Sequence, residues 1–156
     1  MKFSKVVLLI ALLLGGAYIL LNWSGFDEFL ASYSVNRVQG LQDAAEKGDA
    51  KAQYNLGLVY DRGVGVKSDE SKALKWYRLA AGQGYAEAQY NLGMMYFFGK
   101  AVAQDNIKAY RWIVLAADQD LDAAKQAMEE LKKKISEPQI ATAQAAARAW
   151  KQTNNK

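Results

Sequence analysis

Ala52-Gln53-Tyr54-Asn55-Leu56-Gly57 returns 36 residues later as Ala88-Gln89-Tyr90-Asn91-Leu92-Gly93, and the match extends on both sides. Residues 48–83 and 84–119 align without a gap, with 19 of 36 positions identical. Self-similarity at a fixed period of this size is the mark of a solenoid, whose units cannot bury an apolar face alone and stack to form a continuous core. Such arrays build binding surfaces more often than active sites.

Each copy divides into two helical segments. In the first, Ala52, Leu56, Gly57 and Tyr60 recur at helical spacing, and Arg62-Gly63-Val64-Gly65-Val66-Lys67-Ser68 then breaks the pattern. Asp69 opens the second helix as an N-cap, and Ala73, Trp76, Tyr77, Ala80 and Ala81 share one stripe. Gly82 or Gly84 supplies the left-handed residue at its end. The second copy repeats this with Gly99, Asp105 and the stripe Ala109, Trp112, Ile113, Ala116, Ala117. Gly57 and Gly93 stand mid-helix, where glycine costs about 1 kcal/mol against alanine, so close helix approach is the expected compensation. The natural counterpart is a large side chain on the second helix, Trp76 or Trp112.

The order Ala-Gln-x-x-Leu-Gly-x-x-Tyr, a Gly-x-Gly-Val loop, Asp-x-x-Lys-Ala-x-x-Trp and Ala-Ala-x-x-Gly resembles the Sel1-like repeat, a relative of the tetratricopeptide repeat, across residues 41–124. Ala101 replaces the second loop glycine in the second copy, and Asp120 the closing one. The resemblance implies an all-α fold, a right-handed α-solenoid of helix-turn-helix repeats, and a bacterial source. It speaks to fold more strongly than to a particular task.

The domain so read spans residues 35–150: a cap at 35–47, repeats at 48–83 and 84–119, and a partial repeat with a C-terminal cap at 120–150. Ala123-Ala124 and Met128 match the first helix of a third copy, but Glu129 stands for the glycine and Lys132 for the tyrosine. That face is expected to meet water rather than a close second helix. Ser136-Glu137-Pro138-Gln139 carries capping-box spacing, and Ile140, Ala143, Ala146, Ala147 and Trp150 form a stripe able to close the stack. Residues 151–156 read as a disordered polar tail.

Val6 to Phe26 contains no charged residue. At 1.5 Å per residue its 21 residues reach about 31 Å, enough to cross a hydrocarbon core as an N-terminal transmembrane helix. Lys2 and Lys5 precede the run and Asp27 and Glu28 follow it, so the repeats are expected to face outward. Residues 1–23 are read as the anchor and 24–34 as a juxtamembrane linker. Gly15 and Ala17 also suit a signal peptidase, and cleavage would release the domain. Apolar Tyr18 to Trp23 beyond them, with Trp23 at interface depth, favours the retained anchor. With the bacterial resemblance, the chain is placed in the inner membrane with its C-terminal domain in the periplasm.

Histidine and cysteine are both absent, which removes the usual general base, soft metal ligands and the strongest nucleophile. No cofactor or metal is expected. Asp69 and Asp105 recur at one repeat position and read as caps, while Asp61 aligns with Phe97 and reads as a surface variable. Gly63-Val64-Gly65 lacks the lysine and preceding strand of a phosphate loop. Without Lys2 and Lys5, the remaining 18 basic and 16 acidic residues leave +2, and Lys132-Lys133-Lys134 has no interleaved aromatic, so nucleic acid is not an expected partner. The chain is read as a non-enzyme.

A second stripe on the first helix of each copy runs Tyr54, Leu58, Asp61 and, one repeat on, Tyr90, Met94, Phe97. Arg62 and Phe98 adjoin it. By analogy with tetratricopeptide arrays the stripe faces the concave groove, where it would take a protein or peptide partner. The alternative is that the caps cover it. The family resemblance suggests an adaptor or scaffold tethered to the membrane, with an immunity protein against an envelope toxin as a variant. A cell-wall or β-lactam hydrolase is the reading from another class, disfavoured because the Sel1-like proteins described with such activity are cysteine-rich.

Overall fold

The structure, a computed structural model, describes residues 38–154, in which every regular element is helical. Seven helices follow one another: α1 (residues 38–46), α2 (Ala50–Arg62), α3 (Glu70–Gly82), α4 (Ala86–Phe98), α5 (Asn106–Ala117), α6 (Asp122–Lys132) and α7 (Glu137–Asn154). Each packs on its successor from α2 to α6, giving two helix pairs and a lone first helix of a third. Among the described residues no helix is long and apolar enough to cross a membrane. The anchor expected over residues 1–23, the linker at 24–34 and the start of the cap at 35–37 lie outside the described residues.

Local chemistry sets the helix ends. Asp69 and Asp105 accept from the backbone N–H groups of Lys72 (3.0 Å) and Lys108 (2.9 Å), as their recurrence implied. Asp49, not singled out above, caps α2 through Ala52 N at 2.9 Å. The inter-helix loop folds back on the helix before it, with Asp69 N donating to Tyr60 O at 2.9 Å and Asp105 N to Tyr96 O at 3.0 Å. Left-handed backbone falls at Gly65 (φ 72) and Gly84 (φ 90), so Gly84 rather than Gly82 turns the chain between repeats. The second copy keeps both conformations without glycine, at Ala101 (φ 55) and Asp120 (φ 63). A side chain in that region costs about 1–2 kcal/mol.

The glycines of α2 and α4 are contact points, but tryptophan is not what meets them. A Cβ on Gly57 would lie 2.6 Å from the Tyr77 ring, and one on Gly93 2.6 Å from Ile113 Cγ1 and 3.0 Å from Ala109 O. Trp76 instead joins a cluster with Ala45, Ala52 and Leu56, and Trp112 meets Trp150 edge-on with centroids 6.0 Å apart. One residue of rotation separates the two options, and the register between helices decides it.

Buried glutamines tie the turns together. Gln53 Nε2 donates to Ala45 O at 3.0 Å and Gln53 Oε1 accepts from Gln83 at 2.7 Å. One repeat on, Gln89 Nε2 donates to Ala81 O at 3.3 Å and Gln89 Oε1 accepts from Gln119 at 2.8 Å. Each buried amide thus satisfies both its ends and links three helices.

The stack closes on one side. Ser136 N donates to Gln139 Oε1 at 2.9 Å, which is the backbone half of the capping box, and α7 begins at Glu137. Its Ile140, Ala143 and Ala147 are buried, and α7 packs on α5 rather than pairing along α6. Leu115 is consequently 1% exposed, while its repeat equivalent Leu79, with no such cover, is 43% exposed. Glu129 faces solvent and pairs with Lys132 at 2.6 Å. The tail reading fails at 151–154, which continue α7, with Lys151 paired to Asp118 and Asn154 Nδ2 donating to Trp150 O at 2.8 Å.

Two substitutions in one repeat carry opposite signs. Gly93→Ala must displace Ile113 or a carbonyl, a loss of about 1–3 kcal/mol that exceeds the helix-propensity gain; Ala101→Gly relieves left-handed strain and gains about 1 kcal/mol, both read by urea denaturation. Burial acts to raise the Asp105 pKa, but hydrogen bonds from the Lys108 backbone and ammonium outweigh it, so the carboxyl sits below its ordinary value of 3.8. A depressed folded pKa stabilises at higher pH and is lost as pH falls through it. Asp105→Ala is therefore expected to cost about 1 kcal/mol at neutral pH, with the gap to the parent narrowing below pH 3.8.

Candidate partner-binding surface

The second stripe of α2 and α4 is half-buried rather than open along its length. Tyr54, Leu58, Tyr90, Met94 and Phe97 all pack against the core with part of each side chain in solvent. Tyr54 lies 5.1 Å from Tyr85 and 6.1 Å from Tyr77, ring centre to ring centre, so it fills the step between α2, α3 and the start of α4. Burial, followed by the charge of Glu87, raises its phenol above the ordinary range. This residue supports packing between the repeats.

Asp61 is less of a free surface position than the repeat alignment suggests. Tyr77 Oη donates to its carboxylate at 3.5 Å, and Lys100 Nζ lies 3.8 Å from the other oxygen and 3.9 Å from Glu70. Burial and then the charge of Asp61 raise the Tyr77 pKa, so this hydroxyl is a permanent donor. Lys100 bridges the first repeat to the loop of the second.

Phe98 is 61% exposed, an unusual position for a phenylalanine, and meets Phe97 edge-on with centroids 4.9 Å apart. Lys134 Nζ stands 4.9 Å from the Phe97 ring centre, bringing a cation from beyond α6 to the same patch. Arg62, Phe98 and Lys134 occupy one repeat position, 36 residues apart, and all three are exposed. The row therefore reads cation, aromatic, cation.

Behind Phe98 lies a cavity of about 130 Å³ lined by Asp61, Tyr77, Asn91, Met94, Met95, Phe98 and Lys100. Three of the stripe residues, Asp61, Met94 and Phe98, are brought together there from two repeats. Tyr54, Leu58, Arg62, Tyr90 and Phe97 do not line it. Tyr77, Asn91 and Lys100 were not singled out from the sequence. Asn91 recurs as Asn55, which marks it as repeat architecture, while Lys100 stands where the first copy has Val64 and so was visible as a departure.

The lining of the cavity combines apolar and charged side chains. Among the described residues no three His, Cys, Asp or Glu side chains gather to hold a metal ion. What it offers is two thioethers and a ring edge around an apolar slot, with an ion pair at its mouth. Residues 126, 130 and 133, the equivalents of Tyr90, Met94 and Phe97 in the third copy, are Gln, Glu and Lys, so the apolar surface stops at α4.

A family model described as Sel1 repeat matches residues 50–85 and 86–121. Among solved structures, a Sel1 repeat protein from Oxalobacter formigenes is 40% identical, covering 60% of this chain and 70% of that one, with a TM-score of 0.58. A protective antigen of uropathogenic Escherichia coli strains, displaying an SLR fold, is 34% identical over 74% of this chain and 25% of its own, with a TM-score of 0.70. A Sel1-like repeat-containing protein of Acanthamoeba polyphaga mimivirus is 50% identical over 38 residues, 24% of this chain. The chain spans only 6% of the length of that curated relative.

Phe97 and Phe98 should separate in a stability measurement. Phe98→Ala is expected to stay within about 0.5 kcal/mol of the parent, as an exposed side chain does, whereas Phe97→Ala costs more than about 1 kcal/mol, measured by urea denaturation followed by circular dichroism.

Proposed function

Because this chain belongs to the Sel1 repeat family, whose members are generally protein–protein interaction modules, we propose that it is a membrane-tethered adaptor that captures a protein or peptide on the α2–α4 face. The observation that carries this reading is the cavity beside Phe98, an apolar slot next to a phenylalanine that the fold leaves exposed. The slot suits one apolar side chain of a partner. Burying a side chain of leucine or methionine size yields about 1.5–3 kcal/mol, the scale of a single hot spot.

Charge adds direction. Arg62 and Lys134 flank Phe98 along the repeat row and form no ion pair with another described residue. A partner segment with an apolar anchor and acidic residues to either side is the complement of that row. Tyr54, Leu58, Tyr90 and Phe97 then act as the packed base that holds the slot in shape. The role in binding proposed for Asp61 is indirect, since it holds Lys100 at the mouth.

The tether is the uncharged run Val6 to Phe26, and the lysines before it orient the repeats to the periplasmic side of a bacterial inner membrane. An anchored module needs only modest affinity, because confinement to a surface raises the effective concentration of a partner held there.

A tagged full-length chain, solubilised in detergent, should retain a partner that a Met94→Ala, Phe98→Ala variant recovers at least about tenfold less well by quantitative mass spectrometry, with unchanged helicity. Equal recovery by parent and variant would rule out the slot. Carbonate extraction of membranes tests the tether separately, because release of the chain into the soluble fraction would contradict it.

A further inference from the structure

A second cleft, larger than the first, opens where α3 and α5 end beside α7. It measures about 430 Å³ and uses none of the residues of the helix stripe. Gly82 closes α3 and Ala117 closes α5, so the negative ends of two helix dipoles lie at one space, which the last described turn of α7 flanks. Asp118, the residue after α5, adds a full negative charge, and Trp150 forms one wall.

Amide side chains around the cleft are already engaged with their neighbours. Gln83 Nε2 is spent on Gln53 at 2.7 Å, Gln119 Nε2 on Gln89 at 2.8 Å and on Gly84 O at 3.0 Å, and Asn154 Nδ2 on Trp150 O at 2.8 Å. The glutamine ladder thus engages both amide nitrogens, with one N–H of Gln83 left over, and leaves the two Oε1 atoms without a donor among the described residues. Among the described residues Lys151 is the cleft's single cation, and it reaches Asp118 from α7. The carboxylate of Asp118 is the cleft's one full negative charge among the described residues, and the chain has already drawn one of its own amines to it.

The indole is available in the same sense. Its neighbour Trp112 carries the Arg111 guanidinium 4.6 Å from its ring centre, whereas no described cation lies over Trp150. A planar cation with several donors would satisfy the carboxylate and the amide oxygens while stacking on the ring, which an ammonium does less well.

We propose that this cleft is a receptor for a guanidinium, the side chain of an arginine on a polypeptide partner, which bonds Asp118, stacks on Trp150 and displaces Lys151. The Lys151–Asp118 pair is an internal competitor. Both side chains are partly exposed, so the pair contributes only about 0–1 kcal/mol and yields readily to a better-fitting cation. The inference is independent of the Phe98 slot, since the two clefts share no lining residue.

The test uses the ¹⁵N-labelled full-length chain in zwitterionic micelles, with the Trp150 indole N–H signal assigned through Trp150→Phe. The probes are the capped tripeptide Gly-Arg-Gly and its analogue with uncharged citrulline. Saturable shifts at Trp150 and Gln119 are expected with the arginine peptide, about tenfold weaker with citrulline and with Asp118→Asn. Lys151→Ala should strengthen binding about threefold, a sign that a purely structural role for the pair would not produce. Unchanged Trp112 and backbone signals establish that each variant is folded. Absence of a saturable shift, equal response to citrulline, or weaker binding by folded Lys151→Ala overturns the proposal.

Discussion

The approach of helix to helix at Gly57 and Gly93 sets the geometry of everything else. With no side chain at these positions, the Tyr77 ring and Ile113 lie against bare backbone, at distances a Cβ would violate. A mid-helix glycine loses about 1 kcal/mol of helix propensity, and the contact offsets this by letting two helices bury their stripes along most of their length. Once α2–α3 and α4–α5 are fixed at that separation, the carbonyls of Tyr60 and Tyr96 in the last turns of α2 and α4 come within reach of the Asp69 and Asp105 amides. The same separation brings Gln83 and Gln119 to their buried partners.

That dependence explains what could be read in advance. Repeat period, helix pairing, the Asp69 and Asp105 caps and the start of α7 are local, because each rests on residues three or four apart or on identical positions 36 residues on. The identity of the side chain over Gly57 is not local. Trp76 and Tyr77 are neighbours on one stripe, and only the rotation of α3 against α2 assigns Tyr77 to the glycine and Trp76 to the Ala45 cluster. Residues 151–154 failed as a tail for a similar reason. Their polar composition suits solvent, but the partner that orders Lys151 is Asp118, 33 residues earlier.

The candidate site was legible to the same degree. Helical spacing placed Met94 and Phe98 on one face, and the repeat paired them with Leu58 and Arg62. It did not reveal that Tyr54 is occupied in packing on Tyr85, or that Lys100 crosses to Asp61. These contacts join different repeats, and three of the four residues involved, Asp61, Tyr85 and Lys100, break the repeat. Departures from repeat identity therefore carry more functional information here than the identities, which mostly describe how one turn stacks on the next.

The short array also limits what its surface can do. A long solenoid gains affinity by repeating a contact along many units, but here the apolar stripe is confined to α2 and α4 because the third copy substitutes Gln126, Glu130 and Lys133. The terminal helix α7 does not restore it, since it packs on α5 and leaves the exposed Glu129 face of α6 uncovered. One slot, one exposed ring and two flanking cations remain. If the proposed capture takes place on this face, it rests on a single apolar anchor with charge at fixed distances on both sides, and partners are then distinguished by the spacing of acidic residues around that anchor more than by the area they cover.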